Sequence, residues 1–123
     1  MLNLLLDEQI SPDVADGFRH RQRHPRLLSL SEWEDGRFLG QPDDLLFLEA
    51  AVQKLTLVTY DRRTIPPLLK RWVEEGRNHG GVIFVDEKTI PASDFGGLIR
   101  ALQQLSRESA AWDWTNRVCF LRR

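Results

Sequence analysis

The chain has 123 residues, with 41% hydrophobic and 28% charged residues, 17 Lys+Arg against 18 Asp+Glu, and one cysteine. That balance excludes a disordered chain, a coiled coil and a broadly basic nucleic-acid coat. The lone Cys119 excludes an internal disulfide framework and fits a reducing compartment, and the length suits one domain.

In chain order, Leu2 and Leu4-Leu5-Leu6 form an apolar run ended by Asp7-Glu8, the pattern of a buried strand. Ser11-Pro12-Asp13 predicts a helix start, with Val14, Ala15 and Phe18 inward, fraying through Arg19–His24 and stopped by Pro25. Leu27–Leu30 is a second strand, and Glu34–Pro42 is a polar loop containing glycine. From Asp43, helical spacing of Leu45, Leu46, Leu48, Ala51, Val52 and Leu55 predicts a helix leading into a strand over Leu55–Tyr60. Thr64-Ile65-Pro66-Pro67 opens a helix to about Gly76, with Leu68, Leu69, Trp72 and Val73 on one side. Val82–Val85 is a continuous apolar strand ended by Asp86-Glu87, and a long helix follows from Ser93 or Asp94 to about Ser109. Asn116–Leu121 closes the chain as a strand, with Cys119 expected to be a small buried hydrophobe.

Alternating strands and helices predict a three-layer α/β/α domain with a mostly parallel sheet of about five strands and right-handed crossovers. No apolar run exceeds four residues, so no membrane span is expected, and no signal peptide is visible at the start. The expected location is the cytoplasm.

In open α/β sheets, ligands sit outside the carboxyl ends of the strands. Asp7-Glu8, Asp61 and Asp86-Glu87 all close strands there, and Asp43 begins a helix that a short loop would bring to the same rim. Singly, each acid has an alternative as a cap: Asp43 for its helix, Asp61 for a turn, Asp7 for the first helix. Together they would repel one another unless a cation were bound, and hard ions such as Mg²⁺ or Mn²⁺ suit oxygen ligands. Convergence predicts that Asp61→Asn raises the melting temperature of the metal-free protein. A cap predicts the opposite sign.

Leu4-Leu5-Leu6-Asp7-Glu8, then Asp43-Asp44 through Ala50-Ala51, then Leu57-Val58-Thr59-Tyr60-Asp61 resemble the PIN-like domain family. The similarity is greatest to its short stand-alone bacterial branch, often associated with toxin–antitoxin-type loci. His79-Gly80-Gly81 and Asp113–Val118 share features with that branch. Asp43, seven residues before Ala50, takes the place of the family's second acid in preference to Asp44. The resemblance implies a PIN-like fold and metal-dependent ribonuclease chemistry on single-stranded RNA, with Asp7, Asp43 and Asp61 holding Mg²⁺ or Mn²⁺. An antitoxin-like protein partner is implied as well. For the family's fourth acid, Glu8, Asp86 and Glu49 all remain open, and Glu8 is favoured as a neighbour in the site. An incomplete quartet leaves a domain that binds without cutting as an alternative.

Arg21 and Arg23 in the basic Arg19–Arg26 stretch, and Arg62 and Arg63 after Asp61, are candidate phosphate contacts. The alternative for the first pair is a solvated helix end near its negative dipole pole. Trp33, Trp72, Trp112 and Trp114 are candidates for base stacking or, for Trp72, packing; Trp112 and Trp114 suit a sheet edge or a homodimer contact. A receiver-type phospho-acceptor domain shares Asp7-Glu8 and Asp61. It expects a hydroxyl and a lysine where this chain has Val85-Asp86 and Leu121-Arg122, and it has no use for Asp43.

Overall fold

A computed structural model describes residues 2–123. The strands are β1 (Asn3–Leu6), β2 (Arg26–Ser29), β3 (Thr56–Thr59), β4 (Val82–Val85) and β5 (Val118–Leu121). The helices are α1 (Pro12–Arg21), α2 (Asp43–Val52), α3 (Ile65–Glu74) and α4 (Phe95–Glu108). All strand pairs are parallel, in the order β2-β1-β3-β4-β5. The domain is therefore a three-layer α/β/α sandwich.

Residues alternate along each strand between two separate cores. Leu4, Leu6, Val58, Ile83 and Val85 meet α1 (Val14, Ala15, Phe18) and α4 (Leu98, Ile99, Leu102, Leu105). On the other face Leu5, Leu57, Val82 and Phe84 meet α2 (Leu46, Phe47, Ala50) and α3 (Ile65, Leu68, Trp72). β3 and β4 are buried throughout, which is why β4 reads as an unbroken apolar run and β3 carries no charged residue, instead of the alternation of a half-exposed strand.

The distribution of helices corrects the expected handedness. The chain steps outward from β1 to β2 through α1 on one face, then in the opposite direction through α2 and α3 on the other face. These three crossovers share one hand. The step from β4 to β5 continues in the same direction but uses α4 on the α1 face, so it has the opposite hand, against a preference obeyed in about 98% of cases. The physical reason is coverage. With α4 beside α2 and α3, α1 alone would have to cover Leu4, Leu6, Val58, Ile83 and Val85.

Other differences are local. The Glu34–Pro42 loop opens with a 3-10 turn, Trp33–Gly36, in which Glu34 and Asp35 adopt left-handed conformations. Gln53 clamps it, accepting from Trp33 Nε1 at 3.1 Å and donating to Glu34 Oε1 at 2.6 Å. Trp33 stacks on Phe38, and Trp33, Trp72 and Trp114 are all buried, which removes them from base stacking. Trp114 belongs to the α1–α4 core rather than the sheet edge. Cys119 is only partly buried, because β5 is an edge strand. Val73, expected inward, is 71% exposed, and Leu45, Leu48 and Val52 also face outward.

The turn before β4 depends on close backbone approach. A Cβ on Gly80 would fall inside the contact radius of the Leu55 carbonyl oxygen, and Gly81 has a positive φ of 102°. Gly80→Ala is expected to lower unfolding stability by about 1–3 kcal/mol in urea titrations. Gly96→Ala, which meets only the flexible Arg100 guanidinium within α4, is expected to be neutral or stabilising by up to about 1 kcal/mol.

Candidate functional site at the carboxyl rim

The strand order reverses between β1 and β3, since the chain leaves β1 in one direction and returns across it in the other. At such a switch point the carboxyl ends of two neighbouring strands diverge and leave a crevice. Asp7 directly follows β1 and Asp61 follows β3 by two residues, so both stand there.

Two threonine hydroxyls connect the acids. Thr59, fully buried at the end of β3, donates from Oγ1 to Asp7 Oδ2 at 2.7 Å and accepts from the Asp61 N–H at 2.9 Å. Thr64 Oγ1 is 2.9 Å from Asp43 Oδ2 and also within hydrogen-bond reach of Asp61 Oδ2. A hydroxyl has one proton to give. Asp43 and Asp61 therefore share a single donor, and one of them goes without it at any moment. Asp44 turns away to an ion pair with Arg71 on α3 at 2.6 Å. Asp43, the first residue of α2, is thus the acid that faces the cluster, and it makes no cap bond to its own helix.

The cap alternatives separate residue by residue. Asp61 Oδ1 accepts from the backbone N–H of Arg63 at 2.8 Å and Thr64 at 2.9 Å, so it does cap the turn into α3. Thr64, at the cap position of α3, makes no side-chain cap bond. Asp7 accepts from the neighbouring Glu8 N–H at 2.7 Å, while Ser11 caps α1.

These partners push the carboxyls in opposite directions. Burial raises the Asp7 pKa above its ordinary 3.8, outweighing the lowering effect of the Thr59 bond and the Glu8 amide, and the nearby charges of Asp43 and Asp61 raise it further. For Asp61, burial also acts to raise the pKa. The Thr64 hydroxyl and the amides of Thr64 and Arg63 outweigh it, and the net shift is downward.

The other candidates divide between this rim and the rest of the molecule. Glu8 Oε1 accepts from Gly40 N–H at 2.8 Å, tying the loop before α2 to this rim. Asp86 receives the Lys88 N–H and lies 4.0 Å from Arg122, and Glu49 takes the Gln53 amide on α2. Arg62 and Arg63 border an open groove of about 600 Å³ that includes Asp61 and Asp86. Arg21 ends α1, and β2 begins at Arg26 opposite Asn3, the first residue of β1. Arg21 and Arg23 therefore sit at the amino rim, across the sheet from the acids. His79 is there too. It is buried, accepts from Gly81 N–H at Nδ1, and is held below its ordinary pKa by burial.

The donor set is all oxygen, which suits a hard divalent cation in kind. As the side chains stand, no three His, Cys, Asp or Glu groups among the described residues are gathered closely enough to hold a metal ion. The residues that sequence reasoning missed are Thr59 and Thr64. The only available signal was a threonine two residues before Asp61 and another three after it.

The chain matches no protein-family model, no curated protein and no solved structure. No helix among the described residues is long and apolar enough to cross a membrane.

The opposed pKa shifts predict opposite effects of removing the two acids. A raised folded-state pKa means that Asp7 destabilises the protein above that pKa and ceases to do so below 3.8. Asp7→Asn should therefore melt higher than wild type at pH 7, and the gap should close on acidification. Asp61 contributes stability at neutral pH that is lost as pH falls below 3.8 through its lowered value. Asp61→Ala should cost about 0.5–2 kcal/mol at pH 7, the cap outcome, with the deficit shrinking in acid. Thermal unfolding followed from pH 3 to pH 7 by circular dichroism checks both signs.

Proposed function

We propose that this chain is a Mg²⁺- or Mn²⁺-dependent endoribonuclease of PIN-like type acting on single-stranded RNA in the cytoplasm, with Asp7, Asp43 and Asp61 holding the cation. The observation that carries the proposal is Asp7 itself. It is a carboxylate half-buried at the switch point of a parallel sheet, destabilised in its charged form by burial and by two further acids. A bound cation would reverse that penalty, and it would supply a water activated for attack on a phosphodiester. Asp43 and Asp61, sharing the Thr64 proton, are the pair with acceptor capacity to spare.

The chain's own residues then take distinct roles. Thr59 holds Asp7 in place from inside the core, Thr64 spaces Asp43 from Asp61, and Glu8 fixes the Gly40 loop beside them. Arg62 and Arg63, on the acid rim, are the phosphate contacts in this proposal, and Arg21 and Arg23 are not. An antitoxin-like protein partner belongs to the same proposal through the resemblance alone.

Single-stranded RNA incubated with the protein should be cut when Mn²⁺ is present and spared when it is chelated. Asp7→Asn and Asp43→Asn should each reduce the rate by about 100-fold or more, and Asp44→Asn should leave it near wild type. Binding of Mn²⁺ without cleavage would instead favour the non-catalytic module. Replacing Arg62 and Arg63 together by Ala should reduce the slope of RNA affinity against salt by about two, whereas the Arg21 and Arg23 pair should leave it unchanged.

The strand order favours one second reading, because receiver-type domains share it. Val85-Asp86 and Leu121-Arg122 stand where that reading needs a hydroxyl and a lysine. Stable phosphorylation of Asp61 by a small phosphodonor, with no RNA cleavage, would replace the nuclease proposal with it.

A further inference from the structure

α2 is apolar on two sides. Leu46, Phe47 and Ala50 are buried against the sheet, while Leu45 (49% exposed), Leu48 (42%) and Val52 (69%) point to solvent. A surface helix ordinarily carries a single apolar stripe, with polar residues opposite. The outer three fall at i, i+3 and i+7, the spacing of one continuous seam against another element. Leu39, 41% exposed, extends the apolar surface from the preceding loop. Between that loop and α2 runs an open groove of about 530 Å³, with Phe38 and the three α2 side chains among its lining residues.

The charges on this groove indicate what covers it. Arg37 and Glu49 both line it, and neither has an ionic partner among the described residues. Arg37 lies against the Phe38 ring at 5.1 Å, and Glu49 receives only the Gln53 amide at 3.3 Å. An acidic partner would leave Glu49 opposed, and a basic one would leave Arg37 opposed. A surface with one unpaired charge of each sign around an apolar centre is complementary to itself. Under a two-fold axis every contact between residues i and j recurs as j with i. One apposition then gives Arg37 with Glu49 of the partner subunit, and the same pair again.

We propose that the outer face of α2, with the Arg37–Gln41 loop, is the interface on which a second copy of this chain docks about a two-fold axis. Leu45, Leu48 and Val52 form its apolar centre, and two reciprocal Arg37–Glu49 pairs form its rim. The surface contains none of Asp7, Asp43 and Asp61, so it stands or falls separately from the nuclease proposal.

Sedimentation equilibrium and light scattering on the full chain test it. Wild type is expected to be dimeric. Leu48→Arg and, separately, Val52→Arg are expected to give monomers whose circular dichroism matches wild type. Arg37→Glu and Glu49→Arg should each weaken dimerisation about tenfold or more by setting like charges across the axis. The double reversal should restore it to near wild type. A wild type that remains monomeric up to about 1 mM overturns the proposal. So does a dimer indifferent to both arginine substitutions on α2, or a double charge reversal no better than its single parents.

Discussion

The central strands β1, β3 and β4 are covered on both faces and have almost no solvent to face, so every polar side chain buried within them has to find a partner inside the protein. In β3 this falls on two threonines. Thr56 donates to the Gly80 carbonyl at 2.7 Å at the amino end, and Thr59 donates to Asp7 at the carboxyl end. The Thr59 hydroxyl, completely buried, thus belongs to the core and to the acid cluster at once. The same constraint keeps charge out of the central strands. Asp7, Asp61 and Asp86 follow the strands at one rim, and Arg21, Arg23 and the buried His79 lie at the other.

The acid cluster is internally opposed. Asp61 is bound into the turn that starts α3 and stabilises the fold when ionised, whereas Asp7 is ionised at a cost. Groups held against their own solvation preference concentrate at functional sites, and the carboxylate that fits this description is the one at the switch point.

Much of this is legible in the sequence. Short apolar strands followed by acids give the parallel sheet and its acidic rim. Adjacent helix residues point about 100° apart, so Asp43 and Asp44 face different neighbours. Here the first faces Thr64 and the second Arg71. Thr59 enters the sequence reading only within the Thr59-Tyr60-Asp61 motif and Thr64 only as a helix start, and neither position alone announces a hydroxyl bridge between acids. Periodicity identified Leu45, Leu48, Val52 and Val73 as apolar without showing how many sides of a helix the fold covers. The face taken by α4 was likewise hidden, because nothing in its own residues distinguishes one side of the sheet from the other.

The two cores also differ in when they can exist. Every buried member of the α2–α3 cluster lies at or before Phe84. The opposite cluster needs Leu98 to Leu105, Trp114 and Leu121. A chain emerging from the ribosome can therefore complete one side of the sheet while Leu4, Leu6, Val58 and Ile83 still await α4 on the other. Placing α4 beside α1 makes the nascent protein a half-closed sandwich whose bare apolar wall is sealed only by its final third.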